Sequence, residues 1–123
     1  MQIAHTMVLI AALLPYATVG AAKATKGYDN ANPRAWMAKL DGLPARAAAA
    51  HSNHFEAFAP FAAAVILAEM AQAPQDQINL FAMIFIAIRV LYTAIYLANI
   101  AALRSVVWMA GIACVIRLFA FAV

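Results

Sequence analysis

From Ile3 to Ala22 the chain carries no acidic residue, no lysine and no arginine. Three further stretches, 45–71, 78–99 and 104–123, are nearly as apolar. About 20 apolar residues in a helix cross the hydrocarbon core of a bilayer. In that medium every backbone N–H and C=O needs a partner, and a helix supplies them within one segment. The sequence therefore predicts an all-α integral membrane four-helix bundle, with residues 1–123 forming a single membrane domain. Composition argues against a water-soluble core. Of the 123 residues 67% are hydrophobic and 11% charged, whereas soluble domains carry roughly 25% charged residues.

The first segment is not expected to be a cleaved signal peptide, although Gly20, Ala21 and Ala22 are small enough for a cleavage site. Its first bases, Lys23 and Lys26, follow the apolar run instead of preceding it, the reverse of signal-peptide charge order. Residues 23–44 form the one substantial polar loop. Within it, Pro33 to Leu40 reads as a short interfacial helix with Trp36 at headgroup level. Lys23, Lys26, Arg34, Lys39, Arg46 and Arg104 gather on this loop and on the link before the last segment, while the loop 72–77 has no base. Positive loops stay cytoplasmic, so the loop 23–44 is expected in the cytoplasm and both termini outward. The net charge of +3 follows from this topology and does not suggest nucleic acid as a partner. Cys114, the single cysteine, reads as a buried packing residue.

The second segment opens with polar residues. On a helical wheel with Arg46 at zero, Asn53 falls near 340° and Glu56 near 280°. They form one seam, whereas His51 (about 140°) and His54 (about 80°) point elsewhere. The seam suits a zwitterionic, peptide-like ligand. Arg46 would hold a carboxylate, Asn53 would donate and accept, and Glu56 would hold an ammonium. A buried network knitting helices together would use the same groups. No metal site is expected, because the two histidines lack third and fourth ligands.

Arg89, Tyr92, Tyr96 and Asn99 share one arc of the third segment, about 80° wide. Glu56 or its neighbourhood is expected to meet Arg89 or these tyrosines. Glu56→Gln is accordingly expected to matter more than His54→Gln. Arg104 lies beyond Tyr96. It either anchors a helix end by snorkelling or lowers the pKa of a thiol from about 8.5 toward neutrality.

Arg46…Asn53…Glu56…Pro60-Phe61 and Arg89…Tyr92…Tyr96, set in four apolar segments, resemble the MAPEG family, the membrane-associated proteins in eicosanoid and glutathione metabolism. The loop Tyr28 to Arg34 is similar to that of the family's uncharacterised bacterial branch, which points to a bacterial inner membrane. The resemblance implies a homotrimer of four-helix subunits that binds glutathione near the cytoplasmic side, between subunits. By position it assigns Arg46, Asn53, Glu56, Arg89, Tyr92 and Tyr96 to glutathione binding, and Arg104 to stabilising the thiolate. Two positions depart from the glutathione enzymes. Ala49 stands where a second arginine is typical, and Ala57 where some members have a tyrosine.

The expected function is glutathione-dependent transfer to, or peroxide reduction of, a lipophilic small molecule that enters from membrane lipid. The alternative is a non-catalytic binding or structural protein of the same fold. A small multidrug antiporter is a third class, but it requires a titratable acid on the first segment, which has none.

Overall fold

The computed structural model describes residues 2–25 and 27–123. Lys26, one of the bases used to orient the chain, lies outside them. Among the described residues the elements are all helices: α1 (Ile3–Lys23), α2 (Pro33–Ala38), α3 (Gly42–Met70), α4 (Gln75–Leu97) and α5 (Ala101–Phe119). Three of them, α1, α4 and α5, are long and apolar enough to cross a membrane. α3 has 29 residues, about 43 Å at the usual helical rise. Length is therefore not its limit. Arg46, His51, Ser52, Asn53, His54 and Glu56 make its first half too polar to count as an apolar span.

The helix ends follow local chemistry. α3 begins at Gly42, earlier than the expected 45, because Gly42 takes φ +59°, a conformation open to a residue without Cβ. Pro44 then fits the first turn, where an N–H is not needed. α5 starts at Ala101 and not at 104, since the chain turns tightly at Asn99 (φ +62°). The Ile100 N–H returns to the Ile95 carbonyl and the Asn99 N–H to the Tyr96 carbonyl, the paired bonds of a left-handed helix stop. α3 ends the same way at Gln72 (φ +56°), with Gln72 N–H on the Glu69 carbonyl and Ala73 N–H on the Ala68 carbonyl. That backbone conformation costs glutamine about 1 kcal/mol, and glycine adopts it freely. Gln72→Gly is expected to raise the melting temperature in detergent by about 3–5 °C. An unchanged or lower midpoint would show that the Gln72 side chain contributes something more.

Contacts at both ends make α1 antiparallel to α3, and α3 antiparallel to α4. At one end the Ala4 N–H, unpaired within α1, donates to Asn79 Oδ1 at 3.0 Å, and His5 Nε2 lies 2.7 Å from Glu69 Oε2. Toward the other end His51 Nδ1 lies 2.8 Å from the Pro15 carbonyl. Phe61 and Phe85 stack face to face in the core, ring centroids 4.0 Å apart. Gly111 brings α5 close to α4: a Cβ there would sit 3.4 Å from Ile88 Cγ2.

The buried residues of α3 include Ala47, Ala50, His54, Phe61, Ala64, Val65 and Ala68. On the wheel used above they span about 0° to 100°. The core-facing stripe is therefore centred about 90° away from the middle of the Arg46–Asn53–Glu56 seam.

Candidate functional site

The short link 98–100 folds α5 back along α4, and α3 closes one side. Between them lies a cleft of about 380 Å³ lined by Asn53 of α3, Tyr92 and Tyr96 of α4, and Arg104, Ser105, Trp108 and Met109 of α5. Four of the seven residues assigned from sequence thus meet on one surface. The guanidinium of Arg104 lies over the Tyr96 ring, 4.5 Å from its centroid, and that of Arg89 over Tyr92 at 4.3 Å. The two tyrosine rings meet edge to face at 5.6 Å. Cation, ring, ring and cation form a continuous ladder, each contact worth about 0.5–1.5 kcal/mol.

The other three residues surround the cleft in different ways. Arg46 Nε–H donates to the Leu97 carbonyl at 3.2 Å; this carbonyl is one of those a helix leaves unpaired at its C-terminal end. Glu56 is exposed and accepts from Asn53 Nδ2 at 3.2 Å. Arg89 is only 3% exposed. Its Nη2 donates to Asn53 Oδ1 at 2.8 Å. Glu56 and Arg89 therefore do not form an ion pair; the Asn53 amide stands between them and bonds both.

His54 lies off the Arg46–Asn53–Glu56 seam, as its wheel angle requires, yet it bonds the same arginine as Asn53 does. It is 2% exposed, and its Nδ1 lies 2.9 Å from Arg89 Nη2 and 3.3 Å from Arg89 Nε. Its Nε2 lies 2.8 Å from Thr93 Oγ1. Ala47, Ala50, Phe61 and Ala64 are buried on the same face of α3 as His54, so that face turns to the core, and Phe61 on it stacks against Phe85 of α4. Asn53 and His54 are neighbours on α3, and the guanidinium fork of Arg89 reaches both. The periodicity of buried alanines was the available signal for His54. Trp108 and Met109 have no comparable signal, because α5 is apolar on every side from Val106 to Ile116.

The arginines at this end differ in how they use their donors. Arg46 and Arg89 direct N–H groups to the protein. Arg104 is half-buried with its guanidinium carbon over the Tyr96 ring, and among the described residues its N–H groups meet no acceptor. A guanidinium held over a ring with its donors free is an arrangement that favours an incoming anion.

Ala49 lies in a second cleft, about 470 Å³, between α2 and α3. Arg34 of α2, together with His51 and Ser52, supplies its polar lining. Among the described residues no group of three or more His, Cys, Asp or Glu is placed to hold a metal. His51, bonded to Pro15, joins α3 to α1 and lies apart from the Arg104 cleft.

The MAPEG family model matches residues 3–123. No curated protein and no solved structure matches the chain.

Proposed function

Because the chain belongs to the MAPEG family, we propose that it is a glutathione-dependent transferase or peroxidase for lipophilic electrophiles. It works as a homotrimer in a bacterial inner membrane, each subunit crossing four times, with both termini outward and residues 23–44 cytoplasmic. α3 serves as the fourth crossing. Its inward polar groups are bonded to α1 and α4, and its remaining polar edge, Ser52, Asn53 and Glu56, faces a neighbouring subunit.

The observation that carries this reading is Arg104, a guanidinium with free N–H edges in a cleft that also offers the Asn53 amide. The cleft volume falls within the roughly 300–1,000 Å³ of small-molecule sites. Glu56 at its border suits the amino group of a tripeptide, and Trp108 and Met109 suit an apolar partner. Arg104 holds the sulfur of glutathione as thiolate. In transfer, sulfur bonds to the electrophilic carbon as a leaving group departs with the bonding pair. In peroxide reduction, one thiolate takes an oxygen from the O–O bond and releases the alcohol. A second glutathione then displaces that oxygen as water and leaves the disulfide.

Glutathione at millimolar concentration is expected to raise the melting temperature of the detergent-solubilised protein, since a ligand in 100-fold excess over Kd stabilises by about 2.7 kcal/mol. Conjugation of an activated aryl halide should accompany it. No thermal shift would remove the glutathione site. A shift without conjugation would favour a binding protein of the same fold. That second reading draws on Ala49 and Ala57, which leave the chain without two groups typical of the glutathione enzymes.

A further inference from the structure

The hydrogen bonds around His54 fix more than its position. Arg89 has donors only, and two of its nitrogens, Nη2 and Nε, lie 2.9 and 3.3 Å from His54 Nδ1. Nδ1 must therefore present a lone pair. On the far side, the Thr93 hydroxyl donates to the Arg89 carbonyl at 3.0 Å. Its oxygen is left to accept from Nε2, 2.8 Å away. Both sides require the same species: a neutral imidazole with its proton on Nε2.

The consequence passes to the cleft. Arg89 held this way bonds Asn53 Oδ1 at 2.8 Å. An amide whose oxygen faces a guanidinium turns its NH2 group the other way. One Asn53 N–H goes to Glu56 at 3.2 Å, and the cleft meets the amide as a donor. Without the clamp, only the Glu56 bond holds the amide, and its orientation loosens.

We propose that His54, as the Nε2–H tautomer, is a positioning residue: by orienting Arg89 it locks the Asn53 amide and makes that wall of the cleft select an acceptor group. The selection of an acceptor rests on the glutathione reading above; the clamp does not. His54 touches no part of the cleft itself and acts only through Arg89 and Asn53.

Nitrogen NMR of the ¹⁵N-histidine-labelled full chain in detergent micelles at neutral pH tests the tautomer. The His54 signals, identified by their loss in His54→Asn, are expected at positions for protonated Nε2 and bare Nδ1. An Nδ1–H tautomer or an imidazolium would overturn the proposal. Side-chain ¹⁵N relaxation of Asn53 tests the clamp. Asn53 should be rigid in the wild type and in His54→Asn, whose Oδ1 can accept from Arg89, and mobile in His54→Leu. Equal rigidity in His54→Leu would overturn it. Glutathione adds a third reading. His54→Leu should bind roughly tenfold more weakly, with His54→Asn keeping most of the wild-type thermal shift. Wild-type affinity in His54→Leu would refute the selection step. If glutathione does not shift the wild type at all, the proposed function falls, while the two NMR measurements still decide the clamp.

Discussion

Arg104→Met is expected to lower glutathione conjugation at pH 7 by about 30-fold, and the deficit should shrink as pH rises. A thiol with a pKa of about 8.5 is roughly 3% ionised at pH 7. A guanidinium beside it favours the thiolate and moves ionisation to lower pH. With Arg104 present, the rate is already near its plateau at pH 7. Without it, the rate climbs about tenfold per pH unit until the free thiol ionises, so the two profiles converge near pH 9. A kcat/KM profile from pH 6 to pH 9 distinguishes the cases. Parallel profiles for wild type and variant would mean that Arg104 binds substrate without lowering the thiol pKa. Stability should fall by only about 1 kcal/mol, because the variant gives up just the guanidinium stacking on the Tyr96 ring at 4.5 Å. Arg104→Lys should fall between the two, since an ammonium keeps the charge but not the planar face.

The largest effect on stability is expected from Phe61→Ala. Phe61 is 0% exposed and stacks on Phe85 with the rings inclined by 13°. Phe→Ala in a water-soluble core costs about 3–5 kcal/mol, from the transfer energy of the ring and from the cavity left behind. In a bilayer the separated helices remain in an apolar solvent, so the transfer part is small and packing dominates. A loss of about 2–4 kcal/mol is expected, read from denaturing-detergent titration in mixed micelles. Phe61→Leu should lose less than half as much. A change below about 0.5 kcal/mol in Phe61→Ala, the scale of a surface substitution, would mean that this part of the core repacks freely.

The parts of this molecule were not equally visible in the sequence. The apolar runs from Ile3, Ile78 and Val106 announced helices, because a segment in lipid has few other ways to pair its backbone. Arg89, Tyr92, Tyr96 and Arg104 could be grouped because three of them share a wheel face on α4 and the fourth follows a short link. The orientation of α3 could not be read in the same way. Asn53, Glu56 and Arg46 gave it a polar seam, and a wheel shows where polar groups lie but not which side a partner helix takes. Ala47, Ala50 and Ala64 are buried on the same face as His54, which turns that face to the core. The bond between His54 and Arg89 was not legible for that reason. Its role also depends on Thr93, a residue with no charge to mark it out. The α5 wall of the cleft was equally hidden: Trp108 and Met109 become lining only once the fold-back at Asn99 sets the rotation of α5.

That fold-back has a consequence for how this chain tolerates change. The link 98–100 works as a gauge for α5. Each residue added or removed there would turn the helix by about 100° and slide it by about 1.5 Å. One step would carry Arg104 off the Tyr96 ring and point its charge out of the cleft, although every side chain remained as it was. Substitutions along α5 adjust the lining by degrees, whereas a change in the length of this link exchanges one wall for another.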